Sequence, residues 1–237
     1  MNKSGFFQIS SNHITTLLLV ALLIGSLAIS TYFYTQMPDK MITHWNNQEI
    51  PDGKSSREVG LFIFPAILGL ITTLFLLIPN IDPLKKNILK FEKQFGTFLI
   101  LLSSFFIIIQ AQIISWNLKV FISPNIIRTI AIGILFFYLG TLLKHAKRNF
   151  FIGIKTPWTL NSDFVWNKTH KLGSILFKIL ASLIVLSTTF YKQNFWIIIG
   201  STIATVLILI IYSYHIHSKK QTKIKSNPKS QKKTKKA

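Results

Sequence analysis

The side chains here best suited to proton or metal chemistry are histidines, since the chain has no cysteine and so no thiolate ligand or nucleophile. His44 shares a polar stretch, residues 36–58, with Asp39, Glu49, Asp52 and Glu58, four of the seven carboxylates in the chain. An imidazole with Asp39, Glu49 and Asp52 could hold a metal ion, but a solvated acidic loop with a Pro51-Asp52-Gly53 turn accounts for the same composition. His170 stands alone, and packing or a backbone hydrogen bond is its ordinary use, with pH sensing the sharper reading. His215 and His217 are two apart and do not share a helix face. There is no helical His pair with a Glu, no Gly-rich phosphate loop and no nucleophile elbow. The reading is a chain with no catalytic residue, no metal and no cofactor, and not an enzyme.

The elements that must position these residues are membrane helices. Of 237 residues 49% are hydrophobic and 14% charged, with mean hydropathy +0.43, against roughly 25% charged in soluble domains. Apolar runs long enough to cross a bilayer recur at residues 14–34, 59–78, 95–116, 125–143, 172–191 and 195–215. The expected fold class is all-α, a six-helix polytopic transmembrane bundle. Packing seams are expected at Ser26 with Ser30, Gly69 with Thr73, Ser103 with Gln110, and Gly133 with Gly140. Ser123-Pro124 reads as a helix start, and residues 87–94 as a short interfacial helix. Three parts follow: a two-span unit at residues 1–94 carrying the His44 loop, a four-span unit at 95–218, and a Lys-rich tail at 219–237 with too few apolar residues to fold.

Lys and Arg number 27 against 7 Asp and Glu, a net charge of +20. Basic residues lie in alternate loops and in the tail, which points to positive-inside bias and attraction to anionic lipid headgroups, with no direct nucleic-acid partner. The bias places both termini in the cytoplasm, the His44 loop outside and the connector at 144–172 inside. The expected location is the cell membrane.

That connector is too long and too aromatic for a simple link. Its run Asn149-Phe150-Phe151-Ile152-Gly153-Ile154-Lys155-Thr156-Pro157-Trp158-Thr159-Leu160, continued by Val165-Trp166-Asn167-Lys168-Thr169-His170-Lys171-Leu172-Gly173, resembles the signature loop of the SdpI family. Met37-Pro38, Ile42-Thr43-His44-Trp45-Asn46 and Pro51-Asp52-Gly53 resemble the domain often found ahead of that loop, with Glu49 where the family pattern has Gly. The family consists of multi-spanning proteins that confer immunity to a secreted toxin peptide and can relay its presence to a transcriptional repressor. The resemblance therefore implies a toxin peptide outside and a repressor inside as partners, besides the lipid bilayer.

From the residues themselves, Asn161 or Ser162 caps a helix that runs from Asp163 into the fifth span. Trp158 and Trp166 are expected at headgroup depth. Asn149, Gly153, Thr156, Pro157, Trp158, Thr159, Trp166, Thr169 and His170 are the inner binding or signalling candidates, and His44, Trp45, Asn46 and Asp52 the outer ones. A loop that merely anchors at the interface explains the inner set as well. The rival classes are a small-solute transporter, which the lack of acids in the spans disfavours, and a membrane scaffold or accessory protein working through its tail.

Overall fold

The computed structural model describes residues 13–46, 48–190 and 193–226; Lys3, Lys192 and residues 227–237 of the tail lie outside the described residues. Among the described residues six helices are long and apolar enough to cross a membrane. They are α1 (His13–Phe33), α2 (Arg57–Ile81), α4 (Glu92–Asn117), α5 (Pro124–His145), α7 (Asp163–Leu186) and α8 (Asn194–Ser226); α3 (Lys85–Leu89) and α6 (Pro157–Leu160) are short. The chain is a multi-pass membrane protein. Leucine, isoleucine and phenylalanine cover its outside, the surface expected where lipid replaces water.

Contacts at the helix ends show that the spans alternate. The Asn117 amide bonds both backbone groups of Ile42, joining the end of α4 to the segment after α1. Asn87 bonds the Arg148 carbonyl, and Lys220 the Ser162 hydroxyl, at the opposite end. The first is the hairpin end and the second the loop end below.

The span caps follow from local sequence. Ser123 accepts from the Ile126 N–H with Pro124 in the first turn, and Ser162 accepts from Val165. Asp163 then sits in the first turn of α7, where a carboxylate opposes the helix dipole. The helix from Asp163 continues without a break into the fifth span, as its cap and stripe predict.

Between helices the small and polar residues act as interlocks. Gln110 on α4 accepts from the Ser26 hydroxyl at 2.7 Å and donates to Ser30 Oγ at 2.8 Å, while Ser30 donates to the Leu61 carbonyl. One amide thus joins α1, α2 and α4 in a region with no water to compete. Gly133 and Gly140 let α7 approach α5: a methyl group at Gly140 would lie 2.8 Å from the Ser174 carbonyl oxygen. Ser103 is buried, but its hydroxyl has no hydrogen-bond partner among the described residues, so only the Gln110 half of that face is polar glue. A Cβ at Gly69 would meet nothing within 4 Å and Thr73 is exposed, so that pair faces lipid rather than a neighbouring helix.

Further differences from the sequence reading concern the loops. Residues 36–58 are not an open loop. They hold an antiparallel hairpin, β1 (Lys40–Trp45) and β2 (Pro51–Ser56). The turn is at residues 46–50, and Pro51-Asp52-Gly53 lies within β2. The cause is burial: Met41 and Trp45 point down from β1 into a cluster with Leu61, Phe64, Ile113 and Ile114. At residues 85–94 the short helix is α3, and α4 already begins at Glu92. Finally, α8 continues through Lys219 to Ser226, so the first part of the tail is helical where an unfolded segment was expected. The Lys220–Ser162 bond ties that extension to the start of α7.

Candidate functional site

The connector at the loop end is a folded knot. Asn149 is fully buried. Its amide donates to the carbonyls of Lys147 and Ile152, and its Oδ1 accepts from the N–H groups of Phe151 and Ile152. Asp82, at the end of α2, accepts from Leu84 N–H and, across the structure, from Phe150 N–H at 2.8 Å. Arg148 donates to the Asp163 carboxylate and to the Leu160 carbonyl. Thr156 caps α6 in a reciprocal box with Thr159, and Pro157 fills the first turn. Thr159 also donates to the Ile154 carbonyl, and the Thr156 and Ser213 hydroxyls lie 3.2 Å apart.

Trp166 and His170, one turn apart on α7, are stacked with ring centroids 3.9 Å apart. Trp166 is fully buried and donates through Nε1 to the Ala146 carbonyl at 2.9 Å. It is a core residue and not the headgroup anchor that its polar neighbours in sequence implied. His170 Nε2 accepts from the Ile154 N–H, so the ring proton is on Nδ1, which donates to the Trp166 carbonyl. Both ring nitrogens are committed. Gly153 has φ of 126°, and a Cβ there would meet His170 Nε2 at 2.4 Å. Thr169 is fully buried, and its hydroxyl has no hydrogen-bond partner among the described residues.

The inner candidates therefore divide. Asn149, Gly153, Thr156, Thr159, Trp166, Thr169 and His170 build the knot from within. What the knot presents outward is Phe150, Phe151, Lys155 and Pro157, with Trp158 half-buried and edge-on to Tyr214.

At the hairpin end the outer candidates come together around a cavity of about 590 Å³. His44, Trp45, Asn46 and Asp52 line it from the hairpin, and Asn125, Arg128 and Thr129 from α5. Asn194, Phe195, Ile198 and Ile199 on α8 complete it. His44 Nδ1 and Asp52 Oδ1 are 2.5 Å apart on an exposed face. Asn46 closes the turn: its Oδ1 accepts from Gln48 and Ile50 N–H groups. The acids near His44 are divided among different partners, Asp39 with Arg57 and Glu49 with the start of α5.

Glu49 adopts the backbone that glycine favours, with φ of 62°. Its carboxylate accepts from the Ser123 hydroxyl and the Asn125 N–H, fastening the hairpin to the first turn of α5. An acid at that helix terminus is electrostatically favourable. Arg128, Asn125, Asn194 and Asp82 went unrecognised as site residues. Asn125, Asn194 and Asp82 have partners remote in sequence, in Glu49, Thr129 and Phe150, while Arg128 joins the site through its near neighbour Asn125.

Comparison with known proteins agrees with both ends. Residues 21–69 match a domain of unknown function, DUF1648. That segment contains the hairpin. Along the chain the protein is 24% identical over 196 residues to immunity protein SdpI of Bacillus subtilis (strain 168), covering 82% of this chain and 91% of that protein. No solved structure matches. Residues 145–213, which run from the knot through α7 and most of α8, match the model of the SdpI/YfhL protein family.

Proposed function

We propose that this chain is a non-catalytic immunity protein that protects the cell whose membrane it spans against a secreted toxin peptide. The relative's name motivates the class, and the docked hairpin carries the reading for this chain. It forms an ordered cap over the α5–α8 opening, with Asp52 exposed on it and Asp39 and Glu58 exposed at its two ends. A hydrophobic cationic peptide would meet carboxylates there and apolar helix ends just below. Lys85, Lys86, Lys90, Lys93, Lys144, Lys147, Lys168 and Lys171 all belong to the loop end. The positive-inside bias therefore supports the hairpin end outside and the loop end, with both termini, in the cytoplasm.

The finer part of the proposal is a relay to a cytoplasmic repressor. α7 spans from the Ser187–Asn194–Thr129 hydrogen bonds beside the cavity to the Trp166–His170 stack under the knot. Peptide capture that moves α7 would change how the knot presents Phe151, Lys155 and Pro157.

The test is survival under toxin challenge in cells expressing Asp52→Asn, Asp39→Asn and Glu58→Gln together. Protection should fall while the amount in the membrane stays constant. Unchanged survival would remove the hairpin from the mechanism.

A further inference from the structure

The cavity at the hairpin end contains one cation with little to hold. Arg128 is half-buried one turn into α5, and among the described residues its guanidinium makes a single hydrogen bond, through Nη2 to Asn125 Oδ1. No carboxylate lies within ion-pair distance of it among the described residues. Glu49 is near enough to act on it through space, but the oxygen it turns toward α5 is already bonded by Ser123 and the Asn125 N–H. Arg128 lines the cavity, and among the described residues its other N–H groups have no partner. An arginine so placed at a membrane boundary calls for an oxyanion that can accept two parallel bonds.

The wall below that charge has the opposite chemistry. Ile132, Ile198 and Ile199 line the cavity on its α5 and α8 sides, and Phe195 lies at its edge with half its ring surface exposed. The cavity is thus polar toward the hairpin and hydrocarbon-like toward the bilayer. At about 590 Å³ it is large enough for a headgroup and the first part of a chain.

We propose that this cavity seats a phospholipid: its phosphate on Arg128 and an acyl chain along Ile132, Ile198 and Ile199. Thr129 and Asn194 are already bonded to each other beneath the headgroup, so they shape the floor rather than bind the ligand. The hairpin, fastened by Glu49, is the roof. The assignment does not depend on the toxin reading, because the ligand is supplied by the membrane itself.

The experiment is native mass spectrometry of the full chain purified in detergent, titrated separately with phosphatidylglycerol, phosphatidylethanolamine, diacylglycerol and inorganic phosphate. Wild type should retain one phospholipid of either headgroup in preference to diacylglycerol, and inorganic phosphate should compete weakly. Arg128→Gln should lower phospholipid retention by roughly tenfold, the loss of a charge-assisted pair, whereas Lys54→Gln, an exposed cation on the same end, should leave it unchanged. Should Arg128→Gln fail to give monodisperse protein, Ile198→Trp decides: filling the apolar wall should expel the lipid with the arginine intact. Equal binding of diacylglycerol, equal loss in Lys54→Gln, or full retention in Ile198→Trp would each overturn the proposal. Retention of a co-expressed peptide in place of lipid would also overturn it.

Discussion

The backbone N–H of Ile154 points at Nε2 of His170 from 3.0 Å, and this contact decides how the whole inner knot is held. It keeps the imidazole neutral, because a protonated Nε2 could not accept. It also explains why residue 153 must lack a side chain, since the loop passes directly over the ring.

Gly153→Ala should therefore be among the most damaging small substitutions in the chain. The new methyl would meet His170 Nε2 at 2.4 Å, on a backbone with φ of 126°. Strain and overpacking together should cost about 3 kcal/mol, read as a lower unfolding temperature in detergent.

Trp166 and Trp158 should respond very differently to truncation. Trp166 is fully buried and bonded to Ala146, whereas Trp158 is half-buried beside Tyr214. Trp166→Ala should cost about 4 kcal/mol, in the range for large aromatic deletions in a core. Trp158→Ala should leave the unfolding temperature much closer to wild type. Equal effects in a thermal melt would contradict the buried position of Trp166.

At Glu49 the order of two substitutions is the informative quantity. Glu49→Gly loses the carboxylate that fastens the hairpin to α5 but relieves the left-handed backbone, at φ of 62°. Glu49→Ala loses the carboxylate and keeps the strain. The alanine variant should be the less stable by about 1 kcal/mol.

Gln110 and Ser103 face the bundle on one helix, yet only Gln110 is bonded. Gln110→Leu should cost about 1 to 2 kcal/mol by leaving Ser26 and Ser30 without their shared partner. Ser103→Ala should change stability by less than about 0.5 kcal/mol, because it removes a hydroxyl that bonds nothing.

Much of this was legible in the residues. Six apolar runs, the Ser123-Pro124 start, the Ser162 cap and the Ser26 with Ser30 seam are local patterns, and each acts where its spacing places it, although the partner of that seam, Gln110, lies far along the chain. The hairpin was obscured by Pro51-Asp52-Gly53. That turn signal lies inside a strand because Met41 and Trp45 bury themselves and set the register. Trp166 was misplaced for a similar reason: polar neighbours make a tryptophan look interfacial, while its partner, the Ala146 carbonyl, is supplied by another helix end. Asp82 with Phe150, and Glu49 with Asn125, pair residues far apart in the chain, and nothing in a single sequence marks such pairs.

The central claim is protection, and the direct measurement is growth of the chain's own host with its gene deleted, exposed to spent medium from the parental strain. Deletion should sensitise the cells, the intact gene should restore growth, and a version carrying Asp39→Asn, Asp52→Asn and Glu58→Gln should restore it poorly at equal membrane abundance. If the deleted strain grows in parental medium as well as the parent does, the chain is not an immunity protein against anything its host secretes.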